Sequence, residues 1–367
     1  MTEGPYSPLK VFHHQDRLER IKRREPTAPA HVQIFISDLC NYRCSFCIYR
    51  WHGNISNQLF AEVLPDGTVN DNPRRMIPYD KVIEILDDCV EMGVGAIQVT
   101  GGGEPFVHPQ HCDIFEAILD RGLELAVVTN GSNLSERACD ILTRPGCKWV
   151  RVSLDAGTAD TYSEIKRVPR DSFNRTLEGI RRLVNAKSDN HEPIIGVGFV
   201  VAKENWQEVE LAAAIVREIG VDNLRISAAF QPDDEKYFEG FHDKAAECCR
   251  LATKHTAGAF MVFNLFGDRI EDMTVHSPSH PFCGYQHFTT LIGASLDFYR
   301  CCNLAYNKLG YLGSIKNQRF RDAWFSEEVQ GRLWGLDARS CPRCMFNNKL
   351  KTINYALNDD PEHVNFV

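Results

Sequence analysis

The chain has 367 residues, 43% of them hydrophobic, enough to bury a sizeable core. Asp and Glu outnumber Lys and Arg by 49 to 41, and the resulting charge of −8 argues against a nucleic-acid backbone as partner. No apolar run approaches the ~20 residues that span a bilayer, and "MTEGPYSPLK" lacks the apolar core of a signal peptide, so a cytoplasmic protein without membrane partners is expected.

Residues 1–30 read as an N-terminal extension in which "DRLERIKRRE" (16–25) interleaves both signs of charge, the pattern of a solvated helix. From 31 to 230, short apolar runs alternate with amphipathic ones. The predicted strands are "VQIFIS" (32–37), "GAIQVT" (95–100), "LELAVVTN" (123–130), "WVRVSLD" (149–155), "IIGVGFVV" (194–201) and "NLRISAA" (223–229). Helices such as "YDKVIEILDDCVEMG" and "SFNRTLEGIRRLVNAK" fall between them, so the sheet is expected to be parallel. Two α/β designs fit, an open doubly wound sheet and a partial βα barrel, and both place function in the loops after the strands. The unusual clusters obey that rule. Three cysteines follow the first strand, "GGGEP" (101–105) the second, "TNGSNL" (129–134) the third and "SLDAG" (153–157) the fourth.

Residues 52–78, rich in Asn, Pro and Gly, are long for a connection of this kind and are expected to form a lid over the site. The alternation stops after about 231. A connecting region (231–280), a cysteine-bearing unit (281–348) and a tail (349–367) complete the expected organisation.

Of fourteen cysteines, Cys89, Cys112, Cys139, Cys147, Cys248 and Cys249 sit in apolar or helical settings and read as small core residues. The others form two groups. Cys40, Cys44 and Cys47 make a CxxxCxxC stretch, "CNYRCSFC"; its polar neighbours Asn41, Arg43 and Ser45 suit a core poorly. Three thiolates can hold three irons of a 4Fe–4S cube and leave the fourth open; zinc completed by another residue such as His52 is the competing reading. The second group is Cys283, Cys301, Cys302, Cys341 and Cys344. Here "TTLIGASLDFYRCC" reads as a hairpin that brings Cys283 towards Cys301, and Cys341-Pro-Arg-Cys344 is a natural chelating turn. Adjacent strand residues point to opposite faces, so only one of Cys301 and Cys302 should be a ligand.

The three-cysteine stretch resembles the signature of the radical SAM superfamily, with Phe46 in the aromatic position before the last cysteine, and the likeness runs over roughly residues 30–230. The resemblance implies a partial (βα)6 TIM-like barrel. It implies that Cys40, Cys44 and Cys47 hold a 4Fe–4S cluster whose open iron binds S-adenosylmethionine. Gly102, Gly103 and Glu104 match the motif that meets the methionine amine, and Phe46 the residue flanking adenine. Thr129, Asn130, Ser153 and Asp155 match further cofactor-lining positions, although "TNG" is also a turn signal and Asp155 also suits a helix cap. The activity implied is reductive cleavage of S-adenosylmethionine to a 5′-deoxyadenosyl radical that abstracts a substrate hydrogen, fed by a flavodoxin- or ferredoxin-type donor.

Residues 283–344 resemble the SPASM/twitch auxiliary domain of the same superfamily, in a short one-cluster form. The likeness implies a second 4Fe–4S cluster on Cys283, Cys301, Cys341 and Cys344, with structural zinc as the alternative. Too few residues precede the first strand for a peptide-recognition domain, so a small polar substrate (sugar, aminocyclitol or nucleoside-like) undergoing oxidation, epimerisation or elimination is expected. A peptide- or protein-modifying maturase and a non-enzymatic metal scaffold are the alternatives. Arg225, Tyr285 and His287 are the candidate catalytic groups, with Ser227, Tyr162 and Lys166 behind them.

Overall fold

The computed structural model describes residues 6–49, 75–188, 192–231, 234–275, 277–360 and 362–363. All six expected strands are present: β1 (His31–Ile34), β2 (Ala96–Val99), β3 (Glu124–Thr129), β4 (Cys147–Ser153), β5 (Ile194–Val201) and β6 (Asn223–Ala228). They pair in sequence order and in parallel. A doubly wound sheet would reverse its order at a switch point. Sequential right-handed crossovers instead put the connecting helices on one face and leave the other as a lumen, which selects the partial-barrel design. A seventh parallel strand, β7 (Met261–Leu265), extends the far edge beside β6, inside the stretch expected only to connect. Its sequence "MVFNL" is short and half exposed, so its periodicity is too weak to announce it.

The expected hairpin is β8 (Thr289–Ile292) and β9 (Asp297–Tyr299), followed by β10 (Tyr311–Ser314). β8 runs parallel to β1, pairing His31 with Thr289 through Ile34 with Ile292, so one ten-stranded sheet carries both cysteine groups. Its two outer strands, β10 and β7, are not bonded to each other, and the barrel stays open.

The helices follow the amphipathic runs: α1 (Gln15–Lys22), α2 (Tyr79–Met92), α3 (His111–Asp120), α4 (Glu136–Leu142), α5 (Ala159–Lys166), α6 (Asp171–Ala186), α7 (Val209–Ile219), α8 (His242–Ala252), α9 (Phe266–Val275), α10 (Phe320–Phe325), α11 (Glu327–Trp334) and α12 (Asn347–Leu357). Gly93, at φ 73°, ends α2 in the left-handed conformation that a side chain disfavours. The basic run is α1, which buries Leu18 and Ile21 against Phe288 and Ile353 and leaves its charges outside. Strand alternation divides the two faces. Val150, Val152, Val197, Phe199, Leu224 and Ile226 pack into the helix-side core, while Trp149, Arg151, Ser153, Gly196, Gly198 and Arg225 occupy the alternate positions towards the lumen. Cys89, Cys112, Cys139, Cys147 and Cys249 are buried, as core cysteines should be. No described helix is long and apolar enough to cross a membrane.

Candidate functional site

Cys40, Cys44 and Cys47 lie half-buried on the loop that leaves β1, and neighbouring elements fasten that loop at three places. Before Cys40, Asp38 is fully buried; Arg75 Nε donates to its carboxylate at 2.9 Å, Tyr306 hydroxyl donates to the other oxygen, and the Asp38 amide donates to Arg75 carbonyl at 2.8 Å. Between the first two cysteines, Asn41 donates to Ser132 Oγ at 2.8 Å and accepts from Asn130 Nδ2 at 2.9 Å, tying the loop to the turn after β3. Around Cys44, the amides of Arg43 and Ser45 donate to the carbonyls of Lys166 and Ile165 at the end of α5 (3.2 and 2.8 Å). The expected lid falls, over residues 52–74, outside the described residues, as does His52.

The glycines after β2 are required by close approach. A Cβ on Gly102 would stand 2.2 Å from Asp38 Oδ1, and one on Gly103 would stand 2.1 Å from Leu39 carbonyl oxygen. The amides of Gly103 and Glu104 donate to Ser37 and Leu39 carbonyls at 3.0 and 2.9 Å, so turn and cysteine loop share one backbone ladder. Glu104 is buried and accepts from Thr129 Oγ1 at 2.6 Å, Asn130 amide at 2.7 Å and Phe106 amide at 3.2 Å. A carboxylate has about four acceptor positions, and among the described residues these donors occupy three. Burial pushes the Glu104 carboxyl up to about 7 against the pull of those donors. Thr129 and Asn130 thus hold Glu104 in place.

Asp155, two residues past β4, has φ 62°, an uncommon backbone conformation for a residue with a side chain. Its carboxylate pairs with the buried Lys166 ammonium and accepts from Val200 amide at 2.7 Å. Thr158, rather than Asp155, caps α5. Lys166 also donates to Ser153 carbonyl at 3.2 Å and lies 5.2 Å from the centre of the Phe46 ring. Burial opposes its charge, but Asp155 and then Cys44 more than offset that and hold its pKa above the ordinary value. A fixed cation therefore stands beneath the loop that carries Cys44 and Phe46.

Cys283, Cys301, Cys341 and Cys344 line a single cavity together with Tyr285, Arg300 and Phe346. Cys302 does not line it; Gln33 hydrogen-bonds the Cys302 sulfur, and Lys349 and Arg269 act on its charge. Cys301 is extended, at φ −161° and ψ 167°, and Cys302 opens a short 3-10 helix, so the two side chains part. Burial pushes all five thiols up, and neighbouring cysteines add to it for all but Cys302; Cys283 and Cys341 reach about 11 and Cys344 about 12. Among the described residues, no three His, Cys, Asp or Glu side chains stand close enough to share one metal ion.

The remaining candidates separate. Tyr285 stacks on Phe346 at 4.3 Å beside the cysteine cavity. His287 is buried between Phe282 and Trp334, and burial, then Arg300, lowers its pKa to about 4; it faces an aromatic cluster rather than the lumen. Tyr162 is buried and hydrogen-bonds Thr176 at 2.9 Å, so it and Lys166 support the site from behind. Arg225 faces the lumen beside Tyr6. The sequence reading passed over Asp38, Arg75 and Tyr306, which are 268 positions apart at their extremes in the closest contact. The adjacency of an acid to the first cysteine, Asp38-Leu39-Cys40, was the one local sign available.

With four strand ends converging on a fastened three-cysteine loop, the comparison with known proteins is direct. The model of the Radical SAM superfamily matches residues 34–215. The chain belongs to the radical SAM superfamily, whose members are enzymes and whose signature implies a 4Fe–4S cluster and S-adenosylmethionine. It is similar to the tungsten-containing aldehyde ferredoxin oxidoreductase cofactor-modifying protein of Pyrococcus furiosus, 28% identical over 200 residues, 54% of this chain and 51% of that one. It is also similar to the AdoMet-dependent heme synthase of Methanosarcina barkeri, 25% identical over 281 residues, 71% and 77% of the two chains. The chain thus spans about half the length of the first of these relatives. Among solved structures, Streptococcus suis SuiB bound to S-adenosylmethionine aligns over 90% of this chain and 73% of its own, with TM-score 0.61 and 13% identity. Native anSMEcpe with bound AdoMet aligns over 90% and 96%, with TM-score 0.54 and 13% identity. Both share the fold.

Proposed function

We propose that this protein is a radical SAM enzyme that acts on a small polar substrate held in the barrel lumen, oxidising, epimerising or eliminating at a carbon that bears hydroxyl or amine. In this reading Cys40, Cys44 and Cys47 hold the 4Fe–4S cluster, and Glu104 keeps its last acceptor position for the methionine ammonium. When bound, the cluster and S-adenosylmethionine supply the radical that removes a substrate hydrogen. The chain's own residues do the positioning. Asp38, Asn41 and α5 fix the cysteine loop, Lys166 balances thiolate charge beneath it, and Phe46 offers an aromatic face above that cation. Thr129 and Asn130 orient Glu104, while Asp155 orients Lys166.

The observation that carries this reading is the gathering of the cysteine, glycine–glutamate, Thr129–Asn130 and Ser153–Asp155 clusters on one rim of the sheet. Cys283, Cys301, Cys341 and Cys344 suit a second, closed 4Fe–4S cluster. Four cysteines lining one cavity supply the four thiolates that such a cluster takes, and structural zinc on the same four is the alternative. Such chemistry suits a reducing cytoplasm and a flavodoxin- or ferredoxin-type donor.

A second reading, modification of a peptide, is supported by the fold shared with SuiB, solved bound to its precursor peptide SuiA, and with anSMEcpe, solved with a Cp18Cys peptide. Anaerobic reconstitution tests the shared core: about eight irons per chain, for two four-iron clusters, and dithionite-dependent release of 5′-deoxyadenosine are expected. Absence of that release would overturn the radical reading. Stimulation of release by small polar compounds, against stimulation only by peptides, separates the two substrate classes.

A further inference from the structure

The lumen holds a second arrangement, below the rim, that the cofactor does not account for. Arg151 on β4 and Arg225 on β6 both face inward, separated by β5, whose inward positions are Gly196 and Gly198. A Cβ at Gly196 would meet Asn223 Oδ1 at 2.6 Å, and Gly198 lies beside the Arg151 stem, so no side chain of β5 stands between the two arginines at these positions. Tyr6 packs on both: its ring centre lies 5.6 Å from the Arg151 guanidinium carbon and 5.4 Å from that of Arg225, and Arg151 Nη2 donates to its hydroxyl at 2.8 Å.

No carboxylate among the described residues pairs with either arginine, and the Nε of each is buried without a hydrogen-bond partner. Cations nearer the second cysteine group have partners of their own. Arg269 donates to Asp272 at 2.8 Å, and Arg300 to Gln286 at 2.7 Å. Burial, then repulsion from Arg151 and Arg269, lowers Arg225 to about 9 while Tyr6 acts the other way, so the guanidinium stays charged near neutrality. Two half-buried guanidiniums whose Nε atoms are sealed from water, without a counter-charge, are costly. Their fork of donors matches a planar or tetrahedral oxyanion, which each can grip through two N–H groups.

We propose that Arg151 and Arg225 form the oxyanion-binding end of the substrate site, so that the substrate carries a carboxylate or a phosphate. This deepens the proposed function and rests on it for the word substrate alone; the anion site stands on its own geometry. Register pairs Arg225 with Gly198 and Gly198 with Ser153 at the strand's end, whereas Arg151 lies two residues, about 7 Å, further down. An anion gripped there presents the rest of its molecule upward, towards the cysteine loop.

The test is calorimetric titration of the anaerobically reconstituted full-length protein with inorganic phosphate and, separately, with succinate. Saturable binding of either anion is expected; the tighter of the two identifies the substrate's anionic group. R225Q and R151Q should each weaken that binding at least about tenfold, the loss of a charge-assisted hydrogen bond, with iron content unchanged. Tyr6→Phe, which keeps both guanidiniums, should hold it within about threefold. Should one glutamine variant not fold, the other carries the comparison. Binding of neither anion, or binding that survives both substitutions, would overturn the proposal and leave the arginines as a structural stack on Tyr6. The titration needs no S-adenosylmethionine, so its failure is distinct from absence of 5′-deoxyadenosine release, which bears on the radical reading.

Discussion

The two cysteine groups are assembled in opposite ways. The first occupies one short loop, residues 40–47, and its cysteines are neighbours before the chain folds. The second is gathered from three distant places: Cys283 before β8, Cys301 after β9, and Cys341 with Cys344 after α11. A local loop must be fastened from outside, and Asp38, Asn41 and α5 do so. A dispersed set needs no clamp, because the sheet and the packing of Tyr285 on Phe346 already hold it. In the function proposed above, the first arrangement stays open to a ligand and the second is closed.

Breaking the local set should have the largest effect. Changing Cys40, Cys44 or Cys47 to Ala is expected to abolish 5′-deoxyadenosine release and remove about four of eight irons, those of one cluster; release that survives would remove the loop from the chemistry. Loosening the clamp comes next. Asp38→Asn leaves the Arg75 guanidinium buried without its counter-ion, which should cost about 3–5 kcal/mol in unfolding free energy, measured by denaturant titration. A change below about 1 kcal/mol would show that the clamp is dispensable, as surface pairs often are.

The glutamate gives a smaller, pH-dependent effect. The folded-state pKa of Glu104 lies above its unfolded value, rising from 4.5 to about 7. Its contribution to stability is therefore complete below pH 4.5 and lost as pH rises through 7. Cofactor binding runs the other way, because an ammonium prefers the ionised carboxylate. Affinity for S-adenosylmethionine should rise, by up to tenfold per pH unit, as pH goes from 6 to about 7. In E104Q that rise should vanish, and a slope unchanged from wild type would free Glu104 from the ammonium. The smallest expected difference sharpens the closed site: C302S should keep the iron content of wild type, whereas C341S loses the second cluster. Equal losses from both would contradict the cavity lining that includes Cys341 and omits Cys302.

Local features were legible in the sequence and distant ones were not. The six strands of the core and the hairpin could be read because alternation and turn residues are properties of short stretches, and the three-cysteine spacing is shorter still. That Cys301 rather than Cys302 lines the cavity follows from the turn after β9, where Cys302 opens a short 3-10 helix, and no local pattern announces it. The Asp38–Tyr306 contact depends on β8 finding β1, which no pattern in either segment specifies. Arg151 looked like one polar residue of a strand; it gains meaning from Arg225 two strands away and from the glycines between them. β7 was missed because five half-exposed residues carry little periodic signal.

The pairing of β1 with β8 bears on how this protein tolerates being cut. β1 has β2 on one side and β8 on the other, over the same four residues. Trimming the chain near residue 280 to isolate the barrel would strip one whole side of the strand that leads into the cysteine loop. The bared backbone would be a template for pairing between chains. Soluble fragments of this enzyme are therefore to be sought by shortening the ends beyond α12, not by dividing it where the motifs divide.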